Sequence, residues 1–203
     1  FSFDEESFRK NLRRLAAFDV PGIYTTGSTG EFYALDWPEF RHMVDIFFEE
    51  IGPTGKPTQI GCCDDNTRDV LRKAEYAASK GASGIQFVLP YWMDLSDREI
   101  RQYFKDVSSA VPGVPLIHYN IPRAKRFLTG PEYRRLLEVA PNMIGVKFTF
   151  AGNNFGLLQN ALQLTPELSY FVAENFLISA MMLGARGSYS SVVCTNPPFM
   201  LKM

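Results

Sequence analysis

Asn142-Met143-Ile144-Gly145-Val146-Lys147-Phe148-Thr149-Phe150 reads as a buried strand with a lysine in its middle. Lysine is almost never fully buried without a partner, because a desolvated charge is costly. Burial lowers the pKa of the ammonium, and the neutral amine is a nucleophile toward carbonyls. A strand-end lysine can instead run its stem along apolar surface and reach water, and spacing alone favours that plainer reading. The rest of the chain tips the balance.

Working outward from this strand, helices and strands alternate in both directions. Upstream, a helix is predicted over residues 4–18, with Phe8, Leu12, Leu15 and Ala16 on one face and Asp4 or Ser2 as its cap. A strand at 22–26 and a turn at 27–31 lead to a helix at 36–50 with Pro38 in its first turn. Strands at 57–63, 84–89 and 115–120 alternate with helices at 67–80, 97–110 and 130–139. After the strand at 144–150 come a helix at 154–163, a strand at 169–172, a helix at 175–183 and a strand at 188–193.

The strands are short and read as apolar on both faces, as in a parallel sheet covered all round. No linker, low-complexity tract or nucleotide-binding glycine pattern divides the chain, so residues 1–203 read as a single domain. The repeat points to an α/β fold, a (β/α)8 TIM barrel rather than a doubly wound sheet. Seven strands are one short of closure, and such barrels typically run to ~250 residues. The chain starts with a helix, which places the missing strand before Phe1, and it stops at Met203 just after the last strand. A piece of a longer polypeptide explains this most simply. The alternative is a shortened barrel with open, aggregation-prone edges.

Composition narrows the class of function. With a net charge of -1 and its Lys and Arg scattered, the chain offers no nucleic-acid or anionic-membrane surface. No apolar run approaches the ~20 residues of a membrane span, and Phe1-Ser2-Phe3-Asp4 is not a signal peptide. Cys62, Cys63 and Cys194 make neither a disulfide framework nor a metal-ligand spacing. All three read as small buried hydrophobes, with Cys62 and Cys63 on opposite faces of a strand. The cytoplasm is the default compartment.

Two further segments sit at strand ends: Gly22-Ile23-Tyr24-Thr25-Thr26-Gly27-Ser28-Thr29-Gly30-Glu31 and Pro115-Leu116-Ile117-His118-Tyr119-Asn120-Ile121-Pro122. Together with Gly145-Val146-Lys147 they resemble the signatures of the dihydrodipicolinate synthase/N-acetylneuraminate lyase family, the pyruvate-type class I aldolases. The resemblance runs from the helix at Asp4 to the strand near Ser191. It implies the same barrel, with a C-terminal helical region beyond the last strand, and it implies chemistry without metal or cofactor.

In such barrels the active site lies at the C-terminal ends of the strands, where distant segments meet. The resemblance makes Lys147 the Schiff-base lysine and Tyr119 the proton donor and acceptor. Ser28 and Thr29 would hold the substrate carboxylate, for which hydroxyls and backbone N–H groups in a glycine-flanked turn are suited. Ser28 would also pass protons to Tyr119, and Thr149 and Ser191 would complete the substrate-binding set. Glu31 is assigned to structure, bonding loop backbone. Asn120 and Pro122 would shape the loop after Tyr119, with a trans Ile121-Pro122 bond.

Departures from the family set limits. The lysine-pathway synthase has an arginine five residues after the tyrosine, where this chain has Ala124 between Arg123 and Arg126. Its pair of tyrosines, the second lent across a dimer, corresponds here to Tyr91-Trp92, and an indole cannot relay a proton as a phenol does. Val172-Ala173-Glu174-Asn175-Phe176 matches the sugar-binding stretch of the sialic acid lyase only in part.

The expected function is a class I, Schiff-base lyase acting on a 2-oxo acid, by retro-aldol cleavage that yields pyruvate. A dehydratase or hydratase-aldolase using the same imine is the runner-up, and a catalytically idle binding paralogue is the reading from another class. Trp92, Phe148 and Phe150 near the mouth would favour an apolar or aromatic aldehyde half, unless they serve packing alone. A homo-oligomer, dimer or tetramer, is expected, with Tyr91 or Trp92 near a two-fold contact.

Overall fold

The computed structural model describes residues 3–149 and 155–202. Helix α1 (Glu5–Ala16) is followed by β1 (Ile23–Thr25), α2 (Trp37–Ile51), β2 (Thr58–Gly61), α3 (Thr67–Ser79), β3 (Gly84–Phe87) and α4 (Asp97–Ala110). Then come β4 (Leu116–Asn120), α5 (Gly130–Leu136), β5 (Met143–Phe148), α6 (Phe155–Leu164), β6 (Ser169–Val172), α7 (Leu177–Leu183), β7 (Gly187–Ser188) and α8 (Pro197–Met200). The strands form one parallel sheet whose spatial order is their chain order.

Local chemistry sets the helix starts. The Asp4 carboxylate accepts from the Ser7 N–H at 3.0 Å, so Asp4 caps α1, and the alternative cap, Ser2, lies outside the described residues. Asp36 with Glu39, and Ser96 with Glu99, close reciprocal capping boxes on α2 and α4. Each such cap is worth roughly 1 kcal/mol.

Alternation along the strands sorts residues onto two faces. Ile60, Ile85, Phe87, Leu116, Val146, Phe148, Tyr170 and Val172 are fully buried against the helices, among them Phe40, Phe47 and Phe104. Burying each large apolar side chain contributes roughly 1.5–3 kcal/mol. The sequence pattern implied an apolar inner face, and the structure corrects this. Tyr24 pairs in register with Gln59, Gln86 with Ile117, and Tyr119 with Lys147, so polar groups line the interior. The rings of Tyr24, on β1, and Tyr189, just past β7, lie 5.5 Å apart at their centroids. The first and last strands therefore approach one another, and the sheet curls into an open barrel.

Two glycines are required by close approach. A Cβ on Gly61 would sit 2.3 Å from the Thr26 carbonyl oxygen, and one on Gly145 would sit 2.7 Å from that of Ser169. Both contacts are with rigid backbone, so no side chain fits at either position.

Several boundaries differ from expectation. The final strand, expected over 188–193, stops at Ser188, and the chain turns into a 3-10 helix at Val192–Cys194. The Glu174 carboxylate draws the segment away by accepting from Ser190 Oγ, Ser191 Oγ and the Val192 N–H at 3.4–3.5 Å. Cys62 and Cys63 are buried just beyond β2, whereas Cys194 is exposed, because it falls on that 3-10 turn and not inside a strand. Phe150 and Asn154, expected at a strand end and a helix start, lie outside the described residues. Among the described residues, no helix is long and apolar enough to cross a membrane.

Candidate active site

Lys147 points from β5 into the barrel and is half-buried. Its Nζ lies 4.1 Å from the ring centroid of Tyr119, 5.4 Å from that of Tyr189 and 5.7 Å from that of Tyr24. Among the described residues, no carboxylate comes within the 4.0 Å of an ion pair with it. Burial lowers the Lys147 pKa from 10.5 to about 8, against smaller upward pulls from Cys63 and Glu174. Burial also pushes the Cys63 thiol up to about 12, so near pH 8 it is neutral and its pull on the lysine is absent. The amine is thus within reach of deprotonation near neutral pH.

Tyr119 is buried beside it, on the adjacent strand and in direct register. Burial raises the phenol pKa, and the nearby Ser28 and Thr149 hydroxyls act in the opposite direction. Thr149 Oγ1 is buried with no hydrogen-bond partner. Ser28, Tyr119, Thr149 and Lys147 thus gather at one end of the barrel.

The turn carrying Ser28 is shaped by Thr26, which the motif reading did not single out. Thr26 adopts φ 57, a left-handed conformation in which a β-branched residue is strained. Its hydroxyl donates to the Gly61 carbonyl at 2.8 Å and accepts from the Gly61 N–H at 2.9 Å, tying the turn to β2. Among the described residues, the Ser28 and Thr29 N–H groups donate to no protein acceptor. Glu31 also has positive φ, at 52. Its side chain is exposed and bonds to no loop backbone among the described residues, so its structural part is played by its main chain, contrary to expectation.

Two expected residues stand apart. Thr29 is exposed, and Ser191 is exposed with its hydroxyl turned to Glu174. Neither hydrogen-bonds to Lys147, Tyr119 or Ser28.

A cavity of about 160 Å³ opens beside Ser28 and Tyr119, walled by Phe32, Tyr33, Val88, Tyr91 and Ile121, with Arg123 and Ala124 completing it. Arg126 is held elsewhere by Leu95, Asp97 and Glu132 at 2.7–2.9 Å. Arg123 is exposed and makes no ion pair among the described residues. Asn120 shapes the loop between them, donating to the Leu128 carbonyl at 2.7 Å and accepting from its N–H at 3.0 Å. The Ile121-Pro122 bond is trans, since the described residues include no cis peptide.

The aromatics expected at the mouth divide. Tyr91 packs on Phe32 with centroids 6.2 Å apart, and Trp92 is 74% exposed. Phe148 is buried against Phe127 and Tyr170 on the outer face, so it lines no part of the mouth. A larger groove, between α4 and α5, contains none of the residues gathered around Lys147. Among the described residues, no cluster of three His, Cys, Asp or Glu is placed to hold a metal ion.

Sequence reasoning missed Tyr24, Tyr189 and Cys63 as neighbours of Lys147. The available signal was Gln59 and Gln86, polar residues in the middle of strands otherwise built from apolar ones.

The family model described as dihydrodipicolinate synthetase matches residues 2–203. A 4-hydroxy-tetrahydrodipicolinate synthase of Methanospirillum hungatei is 26% identical over 206 residues, covering 100% of this chain and 69% of that protein. A probable 5-dehydro-4-deoxyglucarate dehydratase of Rhodococcus opacus is 31% identical over 202 residues, covering 97% of this chain and 64% of that protein. The chain thus spans about two thirds of the length of these relatives. Among solved structures, a prophage protein of E. coli in complex with pyruvate superposes with a TM-score of 0.92 at 23% identity, covering 99% of this chain and 68% of that one. CdNal from Clostridium difficile, in complex with mannosamine, gives 0.91 at 23% identity, covering 99% and 69%. At such identities the two structures speak to the fold alone.

Proposed function

Given that this chain belongs to the dihydrodipicolinate synthetase family, we propose that it serves a Schiff-base lyase acting on 2-oxo acids, with residues 1–203 forming part of its barrel catalytic domain. The observation that carries the reading is Lys147, an amine lowered to about 8 by burial and set 4.1 Å from the Tyr119 ring.

In this reading the neutral Lys147 amine adds to the ketone carbon of the substrate, forming a carbinolamine. Loss of water leaves a protonated imine, an electron sink conjugated to the next carbon. With a hydroxyl on the second carbon from the imine carbon, deprotonation of that hydroxyl breaks the bond between its carbon and the carbon next to the imine. An aldehyde departs and an enamine remains. Protonation of the enamine and hydrolysis release pyruvate and restore the lysine. Tyr119 moves the protons, with Ser28 as the adjoining hydroxyl. The free N–H groups of Ser28 and Thr29 receive the substrate carboxylate. Thr149 Oγ1, buried without a partner, supplies a further polar contact in the site.

The dehydratase reading has its own support. Arg123 lines the cavity and makes no ion pair among the described residues, and in this reading it holds an anionic group at the far end of a substrate. A relative at 31% identity is named as a probable dehydratase of such a dicarboxylic acid. In assembly we place Trp92 in a contact between copies, since an indole left 74% exposed is costly in water and favoured at interfaces.

A panel of 4-hydroxy-2-oxo acids, with and without a second carboxylate, tests the function. Release of pyruvate supports cleavage, and loss of water with the carbon chain intact supports the dehydratase. Unchanged substrate throughout the panel would reject both in favour of an idle binding protein.

A further inference from the structure

Among the described residues no carboxylate pairs with Lys147, yet the chemistry proposed for it passes through a cation on the same nitrogen. A carboxylate at ion-pair distance would hold the amine protonated at neutral pH and remove it as a nucleophile. Aromatic faces are a weaker alternative, attracting a cation through the ring quadrupole without supplying a full negative charge.

Three rings stand within that range of Nζ: Tyr119 at 4.1 Å, Tyr189 at 5.4 Å and Tyr24 at 5.7 Å. Neither Tyr189 nor Tyr24 was given a catalytic part by the motifs, and both are tethered. The Tyr24 hydroxyl donates to Gln86 Oε1, and the Tyr189 hydroxyl donates to Gln59 Oε1 at 2.5 Å. A phenol that donates a hydrogen bond keeps a more electron-rich ring, which strengthens attraction to a cation. The tethers leave the Nε2 groups of both glutamines buried and unpaired. A buried orphan donor is destabilising and calls for a reason. Holding two rings in place around Lys147 is such a reason.

We propose that Tyr24 and Tyr189 are positioning residues that complete, with Tyr119, an aromatic cage stabilising positive charge on the Lys147 nitrogen. Its consequence for catalysis, a stabilised protonated imine, rests on the Schiff-base reading; the cage itself does not. Burial keeps both added phenols neutral, raising Tyr24 well above its ordinary value and Tyr189 to about 12. The other titratable groups acting on the nitrogen are Cys63, after β2, and Glu174, after β6. Glu174 acts through space, without a hydrogen bond to it.

The test replaces Tyr189 with phenylalanine and then with phenylalanines bearing one, two and three fluorines. These keep the ring while draining its face of charge. The pKa of Lys147 is read by competitive acylation and peptide mass spectrometry, which needs no turnover. The cage predicts a stepwise fall with fluorination, totalling roughly half a unit to one and a half units. The same series at Tyr24 should give a smaller fall, its ring being farther away. A pKa that stays constant or rises across both series overturns the cage. Pyruvate and borohydride are applied to the same proteins as a separate arm. A stepwise fall with no adduct in any variant would leave the cage standing and reject the Schiff-base reading.

Discussion

The pH dependence of imine formation is the consequence most tightly tied to the geometry around Lys147. Burial holds the amine at about 8 in place of 10.5. At pH 7 an amine of that pKa is neutral in ~1 molecule in 10, against ~1 in 3000 for a solvated lysine, so burial supplies roughly 300-fold more nucleophile. The Cys63 thiol, raised to about 12, stays neutral through this range and does not distort the profile. The perturbation is pH alone, from 5.5 to 9.5. The assay is the initial rate of adduct formation with subsaturating pyruvate and cyanoborohydride, followed by intact mass. The rate should climb about tenfold per pH unit up to 7.5 and level off above 8. A rate still climbing tenfold per unit at pH 9.5 would show a solvated amine and refute the reasoning.

Tyr119→Phe should slow turnover by roughly 10²–10⁴-fold, the range for removing a general acid/base, with the melting curve unchanged; near-normal turnover would reduce Tyr119 to packing. His118, on the outer face of β4, is wedged among Phe87, Phe104 and Tyr133, and burial lowers its pKa from 6.5 to about 3. The fold holds it neutral, so its contribution is fully present above pH 6.5 and is lost as pH falls toward 3, with a loss of about 2 kcal/mol by pH 5. Denaturant melts at pH 7 and pH 5 should show that loss in the wild type and much less of it in His118→Gln; equal pH dependence in both would place the effect elsewhere. Gly61→Ala should abolish the native melting transition or displace the Ser28 turn, since its Cβ would stand 2.3 Å from the Thr26 carbonyl oxygen. A variant with wild-type stability and turnover would contradict that close approach.

Lys147 could be found in the sequence because a charge in an apolar strand conflicts with burial, and Tyr119 and Ser28 because their motifs recur at family spacing. Tyr24 and Tyr189 left no comparable trace. Tyrosine sits comfortably in any strand, and only the curl of the sheet shows which face it takes. The last strand was overextended because Ser188 to Val193 alternates plausibly, while the capture of Ser190 and Ser191 by Glu174 is a tertiary event. Cys194 was misread for the same reason. Phe148 was placed at the mouth by its nearness to Lys147, but period-2 alternation turns adjacent residues to opposite faces.

The central claim is that Lys147 forms the imine. Incubation with pyruvate and borohydride, proteolysis and peptide mass mapping test it most directly, with Lys147→Arg as the control. One pyruvate-derived unit on Lys147, absent from the arginine variant, is the predicted result. An adduct on another lysine, or one that persists in Lys147→Arg, would contradict the account.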